Sequence, residues 1–463
     1  MVDCLGCIHL GFYTRMHGIL FSHDPGTHSQ KGQMIFFPAY VHHPATPHAH
    51  MKIWAASLFM AALLVCAYNF TMRWGPNDAT EGRPIEPDHP TLPEVTKCVC
   101  NETPSPQPCT TIIQTDAASR LYSPEGYDAD HLAQLSNQRL SPLTKWMQSY
   151  IYKHQHPDKC DRLLISDGHL SGFGSEMHVI GAHLAYAIQN DYVLLLSPST
   201  CSHFRVPNAC ADGCACMLRP ISNCSNATDD PTLPRIQGEQ NMEEQLADVF
   251  VNALQTQFPS MTLPQIKYWW RGQSVAYLMR FNEETVRTIR ALRHNQAVHY
   301  TTDGGPVPFP LPPNTISAHI RGGDKRAEMP LVPAQTFVAA VFQLIDLMPH
   351  AFSRAVFVSG DDQQSIDEAR RLIEERRMTF IYTRMPRLVG GHTLRDWRSA
   401  PDESEGSFYA HLLQLLMALE ADAWVGTRGS NWNRLIDELR CVWVDKCQGV
   451  YVEVGLTPVE YSW

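Results

Sequence analysis

The sequence has no surplus of positive charge. Its 463 residues carry 37 Lys and Arg against 47 Asp and Glu, a formal net charge of −10. That argues against nucleic acid as a partner, because a phosphate backbone needs clustered Lys and Arg. A nucleotide-sugar is not excluded, since it needs only a few well-placed cations. Metal-binding patterns are also scarce. The one D-x-D pair, Asp128-Ala-Asp130, lies in a Pro-rich stretch and reads as chance. The cysteines crowded between 201 and 224 lack the paired C-x2-C spacing that structural zinc favours. Hydrophobic residues (44%) and charged ones (18%) are in the ordinary globular range, and the length allows two or three domains with full cores.

One apolar run is present. Ile53–Tyr68 (IWAASLFMAALLVCAY) is uncharged, preceded by Lys52 and followed by Arg73. With its flanks it gives a transmembrane signal-anchor at 53–70, near the lower length limit for crossing a bilayer. Residues 1–52, with eight His and no periodicity, form the expected cytoplasmic tail. Residues 71–145 are rich in Pro, Asp, Thr and Ser, a composition that cannot bury enough surface to offset chain entropy, and read as a disordered stem. Eleven of the 14 cysteines follow the anchor, and sequons stand at Asn101, Asn223 and Asn226. Together these features point to the secretory pathway and favour disulfides over a metal site. Cys441 and Cys447 are close enough for a local pair, and the rest of the pairing stays open.

From about 145 onward apolar runs alternate with helical patterns. Arg162–Ser166 reads as a strand, Asp167–Gly174 as a glycine-bearing loop, Ser175–Gln189 as a helix and Tyr192–Leu196 as a second strand. After Pro313 the pattern restarts. Strands are expected at Thr315–Ile320, Ala355–Ser359, Thr379–Tyr382 and Ala423–Gly426, with helices at 365–377, 407–421 and 431–440. The fold class is therefore α/β, with two Rossmann-type halves facing a cleft in a GT-B-like arrangement behind the anchor and stem. The halves fall at 146–300, on the acceptor side with a Cys-rich insertion at 201–262, and at 301–463, the nucleotide-binding side.

Transfer from a nucleoside diphosphate sugar must neutralise a diphosphate leaving group and deprotonate an acceptor hydroxyl. Without metal, Arg or Lys and backbone N–H groups do the first task. His319-Ile-Arg-Gly-Gly-Asp-Lys325 supplies these parts at a strand end. Arg321 can grip a phosphate, the glycines allow close backbone approach, and Lys325 adds charge.

Five segments in order then resemble the α-1,6-fucosyltransferases: Gly172-Phe-Gly174 with Glu176 and His178; Trp269 to Arg280; His319–Lys325; Gly360-Asp-Asp362; and Ala421–Thr427 with Ser430, Asn431 and Arg434. The resemblance covers roughly 165–440. It implies a metal-independent inverting transfer of fucose from GDP-fucose to a glycan, in the Golgi lumen, with no cofactor. It further implies Arg321 as the β-phosphate ligand, His319 near the guanine, and Asp324 and Lys325 positioning the leaving group. Asp361 and Asp362 would contact the nucleoside, and Gly322, Thr427, Ser430 and Asn431 would line the phosphate and fucose end. Glu328 is the implied carboxylate base.

There are departures. The family's double Arg is Arg321-Gly322 here, and its Ser-Gln is Ser430-Asn431. The chain stops at Trp463 without the SH3 domain of the animal enzymes, so core fucosylation of N-glycans does not follow. The Gly322-Gly323 pair drifts towards protein O-fucosyltransferases and α-1,2-fucosyltransferases, the first alternative. A catalytically lapsed lumenal lectin-like glycoprotein is the second. Trp269 and Trp270, at helical spacing from Tyr277, read as core rather than as sugar platforms.

Overall fold

Two sheets of unequal size organise the protein. The computed structural model describes residues 119–127, 142–169, 171–198, 200–201, 213–224, 230–238, 246–322, 325, 330–384 and 401–455, with 401–407 as helix backbone only. All lie within the unit Pro104–Trp463. The tail at 1–52, the anchor at 53–70, most of the stem, Asp128-Ala-Asp130, Asn101 and Asn226 lie outside the described residues. Among the described residues no helix is long and apolar enough to cross a membrane.

The N-terminal part runs α1 (Pro142–Gln155), β1 (Leu163–Ser166), α2 (Phe173–Gln189), β2 (Val193–Leu196), β3 (Arg235–Ile236), α3 (Asp248–Gln257), α4 (Leu263–Leu278) and α5 (Glu283–His294). Its strands form a parallel sheet in the order β2-β1-β3. The C-terminal part runs β4 (His299–Thr301), β5 (Ile316–Ile320), α6 (Ala334–Leu347), β6 (Ala355–Gly360), α7 (Gln363–Glu375), β7 (Thr379–Thr383), α8 (Pro401–Glu420), β8 (Ala423–Gly426), α9 (Asn431–Val442) and β9 (Val450–Glu453). Its sheet has the order β4-β7-β6-β5-β8-β9, parallel except at the β4 edge.

Every residue of β5, β6 and β8 is buried, as the continuous apolar runs require of a sheet covered on both faces. Period two divides β6 between two cores: Ala355 and Phe357 join the large core, while Val356 and Val358 join a separate one under α6 and α7. The large core continues across both parts of the chain, taking in α2, α4, α8 and α9. Trp269 and Trp270 are core residues of α4, 9% and 4% exposed.

Two expectations are corrected. The stem was expected to reach residue 145, yet Leu121, Tyr122 and Tyr127 are buried in the large core and α1 starts at Pro142. The Tyr127 ring packs 5.1 Å from both Phe281 and Trp443, so three apolar side chains anchor a segment whose surroundings are polar. The Cys-rich segment at 201–262, expected as an insertion, instead supplies β3 to the small sheet and α3 to the core. Disulfides Cys160–Cys224 and Cys201–Cys214 tie it down, and Cys441–Cys447 closes the expected local loop.

Candidate active site

β5 is the switch point of the larger sheet. The chain leaves it for β6 and β7 on one side and returns to β8 and β9 on the other. In open α/β sheets such a point opens a crevice beyond the carboxyl ends of the strands. Ile320 pairs with Gly360, so Arg321 emerges opposite Asp361. Ala318 pairs with Val425, which sets Thr427 level with Ile320.

At this end Arg321 forms an ion pair with Asp361, with the two side chains 22% and 23% exposed. Asp361 also accepts the Gly322 N–H at 2.8 Å. One carboxylate thus aims the guanidinium and fixes the turn behind it. A Cβ on Gly322 would sit 2.8 Å from the Asp362 Cβ, which is why the turn needs glycine. Asp362 itself caps α7, accepting from Ser365 N at 2.8 Å and Ser365 Oγ at 2.7 Å. One ring nitrogen of His319, Nδ1, meets Ser359 Oγ at 3.0 Å. Lys325 is buried, and its N–H donates to Gly322 O at 3.2 Å. Asp324 and Glu328 lie outside the described residues.

The second component is a pair of helix starts. Gly174 opens α2 so close to α9 that a Cβ there would lie 2.9 Å from the Asn431 carbonyl carbon. The Asn431 amide donates to Ser175 Oγ. Further in, His178 Nδ1 faces Asn431 Oδ1 at 3.1 Å and Nε2 faces Glu438 Oε2 at 2.8 Å. Contacts thus advance from 174 to 178 on α2 as they advance from 431 to 438 on α9. The two helix starts therefore lie together at one end of the contact. Among the described residues neither start is capped by a side chain: the N-cap of α2 is Gly172, and Ser430 caps α9 without a side-chain bond although serine is suited to one. Each start carries about half a positive charge from its aligned peptides, so two together favour an anion.

What holds α9 in place is a buried charge cluster. Arg428 donates to Asp437 at 2.7 Å and its N–H to Glu453 at 2.8 Å, while Arg440 donates to the other Asp437 oxygen at 2.7 Å. Burial alone would raise the Asp437 carboxyl, but the two guanidinium groups outweigh it and hold it below the usual range. Arg434 donates to Arg428 O at 2.6 Å and Asn431 Oδ1 at 2.7 Å, which stiffens the Thr427–Asn431 turn.

On the α2 side, both oxygens of Glu176 accept the His169 N–H, at 3.2 and 3.1 Å, and fold the β1–α2 loop over the helix start. Gly168, at φ +66°, makes room for that carboxyl. Burial pushes Glu176 up to about 7, against the pull of its backbone donors. Glu176 and His178 stand in the first of the five resembling segments, where the sequence assigns neither a task. A carboxylate in the first turn of a helix after a Gly-rich loop was the signal for Glu176. Trp432 was passed over altogether, and its ring lies 6.3 Å from His319 and 6.4 Å from Phe173.

No protein-family model matches this chain, and neither does any curated protein. Solved structures do align. A crystal structure of POFUT1 in complex with GDP-fucose is 10% identical, with a TM-score of 0.33 over 64% of this chain and 98% of its own. The NodZ α-1,6-fucosyltransferase soaked with GDP-fucose is 14% identical, with a TM-score of 0.32 over 60% of this chain and 93% of its own. Fucosyltransferase NodZ from Bradyrhizobium is 12% identical, with a TM-score of 0.30 over 60% and 92%. Likeness this remote assigns neither an activity nor a residue.

Proposed function

We propose that this chain is a glycosyltransferase of GT-B type that moves fucose from GDP-fucose to a glycan hydroxyl. We further propose an α-1,6 linkage and a metal-independent inverting mechanism. One observation carries the reading: two helix starts without side-chain caps among the described residues, α2 and α9, meet beside the switch-point strand end that presents Arg321. An arginine fork and two helix starts match a diphosphate, the group that every nucleoside diphosphate sugar brings.

The chemistry follows from that placement. As the bond from the sugar C1 to the phosphate oxygen breaks, charge builds on the β-phosphate. Arg321 and the helix starts bind that charge more tightly as it grows, which lowers the barrier. Asp361 keeps the guanidinium aimed before the donor arrives. Asp324 and Lys325 position the leaving group and His319 faces the nucleoside side, while Asp362 is held by Ser365 as the cap of α7. Gly322, Thr427, Ser430 and Asn431 line the phosphate and sugar end. The acceptor oxygen attacks C1 from the face opposite GDP, and its proton passes to a carboxylate, for which Glu328 is the candidate. The resemblance supports the linkage and the sugar, while the anchor, sequons and disulfides support a type II protein with this site in the Golgi lumen.

The test is transfer of labelled fucose from GDP-fucose to a panel of glycans and glycopeptides, in EDTA. The reading expects a product whose linkage analysis gives fucose on a 6-hydroxyl. Retained GDP-fucose binding with no transfer to any acceptor would replace it with the lectin-like reading, and loss of transfer on adding EDTA would restore a metal mechanism.

A further inference from the structure

Four tryptophans show how this chain uses the indole. Trp270 donates its N–H to Gly181 O at 3.2 Å, Trp424 to Ala418 O at 2.8 Å and Trp443 to Ala276 O at 3.3 Å. All three are buried, and a buried indole needs such a partner. Trp432 is different. It is half-buried, and among the described residues its N–H makes no hydrogen bond. It stands one residue after Asn431, at the uncapped start of α9. Its neighbours come from three other elements: His319 of β5 at 6.3 Å, Phe173 of α2 at 6.4 Å, and His411 of α8 edge-on at 6.2 Å. Arg321 is two residues beyond His319. The chain thus holds an indole rimmed by other rings, its N–H unused by the described residues, beside the strand that ends in the arginine that is to hold the phosphate.

We infer that Trp432 is the floor of a pyranose subsite, stacking on the C–H face of a sugar ring and offering its N–H to a ring oxygen or hydroxyl. The inference rests on the GDP-fucose reading above. A pyranose has one face lined by C–H bonds and polar groups around its edge, which matches an apolar plate with one polar handle. The three buried indoles each donate to a backbone carbonyl, and among the described residues Trp432 alone of the four does not. The sugar has two sources, the one transferred and the one receiving it, and they are separable by experiment.

Full-length Trp432→Leu and Trp432→Phe chains are titrated with GDP and GDP-fucose. Their contact with methyl β-glycosides of glucose, galactose and N-acetylglucosamine, in saturating GDP, is read by saturation-transfer NMR. If the transferred sugar stacks, Trp432→Leu weakens GDP-fucose by about three- to tenfold and leaves GDP unchanged, the range one stacking contact supports. If the acceptor sugar stacks, both nucleotide affinities hold and the glycoside signals fall. Trp432→Phe keeps a plate without the donor and should lose roughly two- to threefold, so the pair remains readable should the leucine variant misfold. Unchanged GDP-fucose preference together with unchanged glycoside signals, in variants whose thermal unfolding matches wild type, overturns the subsite and leaves the donor reading standing. Failure of the wild-type chain to bind either nucleotide overturns the donor reading itself.

Discussion

Two arginine–carboxylate pairs make the clearest comparison in the molecule. Arg293 and Glu420 are both 0% exposed, whereas Arg321 and Asp361 are each more than a fifth exposed. In the buried pair the carboxylate is fully worked, while Arg293 Nη1 finds no hydrogen-bond partner among the described residues. Glu420 takes Arg293 Nε and Nη2 at 2.8 Å, the Tyr122 hydroxyl at 2.6 Å and the Leu311 N–H at 2.7 Å. Burial works against the charge on Arg293, but Glu420 outweighs it and holds the guanidinium above its usual value. Every oxygen of that carboxylate is committed to joining an N-terminal segment, a loop and the end of α8. The strand-end pair meets the backbone of Gly322, whose N–H Asp361 accepts and whose carbonyl Arg321 reaches at 3.3 Å, and it stands at the carboxyl end of β5. The same two chemical groups serve to seal a core in one place and to hold a cation ready in the other. Glu176 is a third case, a buried carboxyl held by backbone donors of His169 and Cys201, and it alone is pushed up to about 7.

The comparison can be broken most directly at the sealed pair. Glu420→Ala leaves Arg293 buried without its counter-charge and should cost about 3–5 kcal/mol of stability by denaturant titration. A loss under about 1 kcal/mol would mean that the pair is no more structural than a surface bridge. The open pair should behave the other way. Arg321→Ala should lower kcat/KM by roughly 10²–10³ while the unfolding midpoint moves little, since an exposed pair contributes about 0–1 kcal/mol. Near-normal turnover in that variant would remove Arg321 from its role.

Glu176 sharpens the contrast through pH. Its folded pKa is raised above the ordinary 4.5, so the folded state binds the extra proton between about 4.5 and about 7. Its contribution is therefore fully present at low pH and lost as pH rises towards 7. Glu176→Gln keeps an acceptor for the His169 N–H and removes the titration. Its stability should stay flat across pH 5–7.5 where the wild type falls by about 1–3 kcal/mol. Parallel curves for the two proteins would contradict the buried, unpaired state of this carboxyl. The smallest effect belongs to Asp362, whose carboxylate is occupied by Ser365. Asp362→Ala should cost about 1 kcal/mol as a lost helix cap. A larger loss in GDP affinity than in stability would return Asp362 to the nucleoside contact that the resemblance implies.

Much of the scaffold was legible. Ala423–Gly426 coincides with β8, and the starts of β6, β7 and α9 coincide with the expected ones. β6 and β8 are fully buried runs, and α9 starts directly after Ser430, so local signals agree there. α2 starts two residues early, at Phe173, because a helix can take in Gly174 when close packing against Asn431 demands it. The two-residue β3 carries no pattern of its own and exists because β1 offers it an edge. The site was legible as residue types but not as partnerships. Asp361 was expected to face the nucleoside, and what no local pattern reveals is that it aims Arg321 from 40 positions away in the chain. His178 and Glu438 meet across 260 positions, a pairing that only the packing of α2 against α9 creates.

The central claim is that two helix starts and Arg321 form a metal-free diphosphate site specific to a guanine nucleotide. Calorimetric titration of the full-length chain with GDP-fucose, GDP-mannose and UDP-galactose, in EDTA, tests it most directly. The account predicts micromolar-range binding of the GDP ligands and none of the UDP ligand. No binding to any of the three, by a chain shown to be folded, would contradict it.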